Sequence, residues 1–137
     1  MTPDAVLEAA LYVDDLAEAE RFYGEVLGLE RLAAVAGRHV FFRCGQPVVL
    51  LFTAAATREP PAPGSRFPVP PHGASGPGHL CFAADEAGID RWKAQLARHR
   101  VAIESEFAWP KGGRSIYVRD PSGNSLEFAN PTIWGLA

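Results

Sequence analysis

Glu8, His79 and Glu127 each interrupt an apolar stretch that reads as a β-strand. Glu8 opens Glu8-Ala9-Ala10-Leu11-Tyr12-Val13, and His79 opens His79-Leu80-Cys81-Phe82-Ala83-Ala84. Glu127 lies within Ser125-Leu126-Glu127-Phe128-Ala129. Carboxylates and imidazole are hard or borderline donors for Mg, Mn, Fe, Ni or Zn. Three of them on one face would hold one divalent ion and leave positions open for a substrate, as catalytic rather than closed structural sites do. Two carboxylates would offset the cation's charge and leave a hard, oxygen-loving Lewis acid. Each residue also has an ordinary alternative. Glu8 could be an exposed residue at a ragged strand start. His79 could be a core histidine bonded to a backbone carbonyl, and Glu127 a cross-strand partner of Arg119 or Arg43.

A second group could line a substrate. Arg38, His39 and Arg43 form a basic strip on one strand-like run. Arg43 could bind a carboxylate or phosphate, or serve in a plain salt bridge. Ser115 and Tyr117 are candidates for orienting a substrate, and Phe41, Cys81 and Trp109 for walling it. No catalytic residue is fixed by the sequence; His39 and Tyr117 are the candidates, with His39 the nearest to a general base. Cys81 shares a face with His79. A reactive thiolate there competes with the plainer reading of a small filler. Serine–histidine–acid order, a phosphate-binding glycine loop and paired zinc-ribbon cysteines are all missing.

The elements that must position these groups follow from patterning. Strand-like alternation covers 7–13, and Asp14 or Asp15 caps a helix whose Leu16, Ala19, Phe22, Tyr23, Val26 and Leu27 fall near helical spacing. Gly28 stops it, and strands follow at 29–35, 38–44 and 47–53. The second half repeats this order. A strand runs from His79 to Ala84, Asp85 or Glu86 opens a helix striped by Ile89, Trp92 and Leu96, and strands follow at 101–108, 113–119 and 124–130. The offset from Glu8 to Asp14 equals that from His79 to Asp85, a weak internal repeat. The chain thus reads as a single domain of two β-α-β-β-β modules, about 5–53 and 79–131. Residues 54–78, with seven of the 12 prolines, connect them. Such a segment reads as a surface linker or, alternatively, as a lid with Arg66 and His72 as its polar groups, with little regular structure in either case.

Alternation also sorts the strands into two faces. One, from Leu11 and Val13 through Val40 and Phe42 to Ile116 and Phe128, is apolar and must bury against the helices. The other mixes Glu8, His39, His79, Tyr117 and Glu127 with Phe41, Leu50 and Phe52; it reads as a solvated sheet face or, given those aromatic and apolar groups, as the wall of a ligand cavity.

Composition bounds the partners. With 137 residues and a net charge of −3, nothing favours nucleic acid or an anionic membrane. No apolar run reaches membrane-span length, and Met1-Thr2-Pro3-Asp4 does not open a secretory signal. Cys44 and Cys81 show no framework spacing and read as reduced cysteines of a cytoplasmic protein.

Several stretches together resemble the vicinal oxygen chelate superfamily of glyoxalase I, fosfomycin-resistance enzymes, extradiol dioxygenases and bleomycin-resistance proteins. They are Leu11-Tyr12-Val13-Asp14-Asp15-Leu16, Phe22-Tyr23 followed by Val26-Leu27-Gly28-Leu29, Gly78-His79, and the run from Gly113 through Asp120-Pro121-Ser122-Gly123-Asn124 to Glu127. The resemblance spans nearly the full length. It implies an α+β fold in which two tandem βαβββ modules form a curled mixed sheet around a cavity, with helices on the outer face. It also implies metal ligands on the first and fourth strands of each module, which here are Glu8, Leu50, His79 and Glu127. Leu50 stands where glyoxalase I-like enzymes carry a carboxylate. Three ligands are closer to fosfomycin-resistance and dioxygenase sites, although those present two histidines and one glutamate. Ser115 and Tyr117 match pocket positions of the fosfomycin-resistance group, but Ala10 lacks its hydroxyl, so fosfomycin itself is not the expected substrate. Members of this size are expected to form homodimers by module exchange, with Glu8 from one chain and His79 and Glu127 from the other. The expectation is therefore a metal-dependent enzyme acting on a small oxygen-bearing molecule, of isomerase, lyase, ring-opening or dioxygenase type. The alternative is a metal-free sequestering protein of the bleomycin-resistance type.

Overall fold

A computed structural model describes residues 1–137. The chain divides into two compact units, Met1–Pro77 and Gly78–Ala137. Each holds one β-α-β-β-β module on a four-stranded mixed sheet, as the repeat predicts.

In the first unit, β1 (Glu8–Tyr12) leads through Asp15 into α1 (Leu16–Arg21), and the Asp15 side chain accepts the Glu18 amide. That satisfies one of the amide groups a helix start leaves open. The helix widens into a π-turn over Phe22–Val26 and ends at Gly28, whose φ of 72° suits a residue without a Cβ. Strands β2 (Glu30–Val35), β3 (His39–Arg43) and β4 (Val48–Phe52) follow, and the sheet order is β1-β4-β3-β2. Only the β1–β4 pair is parallel. The outer strand β2 is exposed throughout, and its register slips between Arg31 and Ala33, leaving Leu32 as an extra residue.

The second unit repeats the plan with β5 (His79–Ala83), α3 (Glu86–Arg98), β6 (Ser105–Ala108), β7 (Arg114–Arg119) and β8 (Ser125–Ala129), in the order β5-β8-β7-β6. Asp85 caps α3 by accepting the Gly88 amide. The two caps are not at equal offsets, because Asp15 rather than Asp14 serves in the first unit. A tight turn precedes β7 at Gly113, whose φ is 82°; a Cβ there would lie 2.7 Å from Ile133 Cγ2.

The apolar face is the core. Leu11, Val40, Phe42 and Leu51 are buried in the first unit, and Ile116, Val118, Leu126 and Phe128 in the second. Phe22 and Leu27 are buried in the first unit, and Ile89 and Leu96 in the second, as their helical spacing requires. Trp92 is only half-buried and lies against the Phe128 ring at 4.4 Å.

Two expectations are corrected. Residues 54–58 are not irregular: Ala54–Arg58 is a short helix, α2. Alanine is the best helix former, and the first proline of the segment comes only at position 60. Residues 101–104 are not strand. Arg100 takes a left-handed φ of 57° and Val101 donates to Leu96 O, so these residues cap α3 and carry the chain to the sheet edge. No helix is long and apolar enough to cross a membrane.

Candidate metal and substrate site

In the second unit the parallel pairing of β5 with β8 sets His79 beside Ser125 and Cys81 beside Glu127. Tyr117 of β7 pairs with Glu127 from the other side. Period-2 alternation then puts His79, Cys81, Glu127, Tyr117 and Ser115 on one face.

His79 Nδ1 lies 3.1 Å from the Ser125 carbonyl oxygen. A carbonyl only accepts, so Nδ1 carries the proton. In the neutral ring Nε2 is then a bare lone pair, and it faces Glu127 Oε2 at 3.3 Å. Two acceptors at that distance repel unless a positive charge lies between them, either a proton on Nε2 or a metal ion. Donors about 2.0–2.2 Å from a zinc-sized ion and 3.3 Å from each other subtend roughly 100° at the metal, a normal bite. A backbone carbonyl on the far nitrogen is also the usual way a ligating histidine is oriented. The pair therefore fits a divalent ion as two adjacent ligands. The sequence alternative of a carbonyl-bonded histidine is met at the same time.

Glu127 is only 6% exposed. Its Oε1 accepts from the Tyr117 hydroxyl at 2.9 Å. Burial, and then this hydrogen-bonded carboxylate, push the Tyr117 phenol up to about 12, with a Ser115 hydrogen bond opposing. Desolvation of the thiol against the sheet, and then the facing Glu127 carboxylate, push Cys81 up to about 12 as well, although the residue's outer edge is exposed. Cys81 is therefore a thiol at neutral pH and a poor nucleophile. Ser115 is fully buried, and its Oγ accepts from Trp109 Nε1 at 2.8 Å. That bond fixes the Trp109 ring against Phe107, which in turn stacks on Tyr117.

In the first unit, a cavity of about 1270 Å³ opens on the mixed face. Glu8 stands exposed at its rim and joins neither ion pair of that unit. Phe41, Leu50 and His39 line the cavity. His39 stacks on Phe41 at 4.0 Å, and its Nδ1 is buried without a partner. Burial, and then the neighbouring Arg38 charge, hold its pKa below the ordinary value, so the ring is neutral at physiological pH. Arg43 does not line the cavity; it pairs with Glu30 at 3.3 Å, both side chains exposed. The Glu127 and Arg119 pairing does not form, because Arg119 binds Glu104.

Within neither unit do three His, Cys, Asp or Glu side chains converge as a metal cluster. The structure brings His79, Glu127, Tyr117 and Cys81 together in the second unit, and Glu8, His39, Phe41 and Leu50 around the first unit's cavity. The two ladders correspond. Ala10 pairs with Leu50 in β1–β4 as Cys81 pairs with Glu127 in β5–β8. Leu50 thus occupies the rung where the second unit carries its carboxylate. Sequence reasoning did not single out Tyr12, whose hydroxyl meets His72 Nδ1 at 2.6 Å. Its place on the mixed face beside Phe52 was the available signal. Arg66 does not line the cavity; its guanidinium lies over the Phe67 ring.

A profile for the Glyoxalase/Bleomycin resistance protein/Dioxygenase superfamily matches residues 5–128. Among solved structures, the chain is similar to a lactoylglutathione lyase from Agrobacterium tumefaciens, with 42% identity and a TM-score of 0.93 over 99% of this chain and 100% of that one. It is also similar in fold to the fosfomycin resistance protein FosX from Mesorhizobium loti, at 22% identity and a TM-score of 0.64 over 98% and 97% of the two chains. The virulence protein STM3117 from Salmonella typhimurium is alike at 25% identity and a TM-score of 0.67 over 95% and 98%. A search of curated proteins finds no match.

Proposed function

The chain belongs to the Glyoxalase/Bleomycin resistance protein/Dioxygenase superfamily, and from that premise we propose that it is a divalent-metal-dependent enzyme acting on a small oxygen-bearing molecule. One observation carries this reading: His79 Nε2 lies 3.3 Å from a buried Glu127 oxygen while Nδ1 meets the Ser125 carbonyl, a geometry that suits two adjacent ligands of one cation. We assign Glu8, His79 and Glu127 as the ligands of an ion drawn from Mn, Fe, Ni, Zn or Mg. In the homodimer that we propose, Glu8 comes from one copy and the other two from its partner. Held by these residues, such an ion would supply Lewis-acid polarisation of a substrate oxygen.

The chain's own residues supply the rest. Tyr117 keeps its proton at neutral pH and can donate it in a hydrogen bond to a substrate oxygen or to Glu127. Neutral His39 is the candidate to take a proton. Ser115 holds Trp109, and Phe41, Cys81 and Trp109 wall the substrate. Arg43 lies off the cavity in its pair with Glu30 and is assigned no part in holding substrate. The likeness to a lactoylglutathione lyase favours a lyase or isomerase over oxygen insertion.

A second reading is a metal-free binding protein of the bleomycin-resistance type. Leu50 favours it, since that rung offers no donor. Calorimetric titration of the five metals decides between the two. The enzyme reading expects one ion per chain in wild type, and at least tenfold weaker binding in Glu8→Gln, His79→Ala and Glu127→Gln. Uptake of no metal by wild type would leave the binding-protein reading standing. An assay for lactoylglutathione turnover tests the reaction type, and sedimentation equilibrium tests the homodimer.

A further inference from the structure

We propose that Asp120 and Asn124 are positioning residues for His79: in series they fix the backbone that leads into it and the ring nitrogen that carries its proton. The proposal rests on the reading of His79 as a metal ligand and adds the part of the chain that aims it.

The entry to β5 is held at three points by two consecutive residues. The Gly78 amide donates to Asn124 Oδ1 at 2.7 Å, and the Gly78 carbonyl accepts from the Ser125 amide at 2.9 Å. The Ser125 carbonyl then meets the His79 ring at Nδ1, 3.1 Å away. Asn124 is itself held. Its Nδ2 donates to Asp120 Oδ2 at 2.9 Å, and Asp120 Oδ1 accepts the amides of Ser122 and Asn124, both at 2.9 Å. The direction of each bond is forced. A backbone amide only donates, so Gly78 must meet the oxygen of the Asn124 side chain. The nitrogen of that side chain then turns to a carboxylate, which only accepts. Asn124 is 1% exposed and Asp120 4%, so solvent does not readily replace a lost partner.

The first unit makes the same hairpin without these groups. Val48 occupies the rung of Ser125, and its amide donates to the Leu7 carbonyl at 3.0 Å as Ser125 donates to Gly78. Cys44 donates to the Pro47 carbonyl at 2.9 Å as Asp120 donates to Asn124 at 3.1 Å. Pro47 thus stands where the second unit has Asn124, and Cys44 where it has Asp120. Neither offers a carboxylate or an amide side chain, yet the strands pair in the same register. Closing the turn therefore does not require the pair, and burying a carboxylate and an amide is costly unless both are bonded. What the second unit has on that rung, and the first has not, is an imidazole: His79 pairs with Ser125 where Glu8 pairs with Val48. A ring whose Nε2 lies 3.3 Å from Glu127 Oε2 must be set in rotamer and in tautomer, whereas Glu8 stands exposed.

The order of donors and acceptors makes this role separable from ordinary packing. In Asp120→Asn, whichever way either side-chain amide turns, a donor meets a donor, at Asn124, at Gly78 or at the Ser122 amide. The exchange Asp120→Asn/Asn124→Asp gives every donor an acceptor again and keeps the net charge. Asn130 supplies the comparison. It is also buried, and it clips the far end of the same strand pair, donating from Nδ2 to the Ala84 carbonyl and accepting the Arg114 amide. Ala84 follows the end of β5 remote from His79.

The test uses the full-length protein. In metal-free protein, long-range proton–nitrogen correlation NMR of the imidazole rings reports the tautomer of His79, whose signals are assigned by their loss in His79→Ala. At about pH 8.5, where histidine is ordinarily neutral, wild type should show the Nδ1-protonated form as its main species. Asp120→Asn should show a mixture of tautomers, and the exchange variant should restore the wild-type form. Calorimetric titration should find Ni bound at least about tenfold more weakly by Asp120→Asn, the usual loss for a group that orients a ligating histidine. The exchange variant should bind Ni as wild type does. Asn130→Ala should lower the melting temperature and leave tautomer and affinity unchanged. Asn124→Ser takes the place of Asp120→Asn if the latter does not fold. An unchanged tautomer in Asp120→Asn and Asn124→Ser, or an unchanged affinity where wild type binds Ni, would overturn the proposal. So would an exchange variant no better than Asp120→Asn, or an Asn130→Ala variant as disturbed as Asp120→Asn in tautomer. If wild type takes up no Ni, the metal reading falls and the tautomer alone decides this inference.

Discussion

Glu127 has two oxygens with two different tasks. Oε1 accepts from Tyr117 and Oε2 faces His79. Replacing the carboxylate by an amide removes one cause of the high Tyr117 pKa. A phenol titration followed by ultraviolet absorbance should show Tyr117 ionising near 12 in wild type and lower in Glu127→Gln, with Tyr117→Phe identifying the transition. His39 gives the opposite sign. Its folded pKa is depressed, so the unfolded chain takes up the proton first as pH falls. Its contribution to stability is full above about 6.5 and is lost on acidification through the folded value. Urea midpoints measured from pH 7 to 5 should fall less steeply in His39→Phe than in wild type. These groups were readable as residues of the right type on the right face. Their partners were not, because a sequence gives the face of a strand residue but not the ladder register. Arg43 shows the gap: its charge and face left a bound anion and a salt bridge both open, and the β2–β3 register gave it Glu30 as its partner.

At the scale of elements, the two periodicities carried most of the fold. Phe22 and Leu96 are buried as helical spacing demands, and truncating either to alanine should cost about 2–5 kcal/mol in chemical denaturation. Trp92→Ala should cost less than Leu96→Ala, since the indole is only partly buried whereas Leu96 is fully buried. Asp15→Ala should cost about 1 kcal/mol by removing the cap of α1. Where periodicity was silent, local chemistry decided. The alanine run of α2 was hidden by counting prolines over the whole connector. The strand expected at 101–104 yielded to the left-handed Arg100 that ends α3.

For the whole molecule, the repeat matters more than either copy. Duplication makes Leu50 and Glu127 equivalent rungs of equivalent ladders. The resemblance pointed to that departure in the sequence, and the registers give it a place. Leu50→Glu is therefore an informative variant. Without metal it buries a carboxylate at a position 9% exposed and should lower the melting temperature. With Ni or Zn the loss should be recovered by a larger metal-induced rise than in wild type, read by calorimetric scanning. A rise equal to that of wild type would mean that this rung does not face the ion.

The slip in β2 has a consequence of a different kind. An outer strand with a straight row of open amides and carbonyls is a template on which other chains can stack into fibres. Leu32, the extra residue between Arg31 and Ala33, breaks that row, and Arg31 is drawn aside to Glu20. Deleting Leu32 would leave Arg31 opposite Phe42 and Ala33 opposite Phe41 with nothing between them, and so straighten the strand. An edge so broken is a poor template for a second strand, and deleting Leu32 is expected to lower the fraction of protein that stays in solution on expression and concentration.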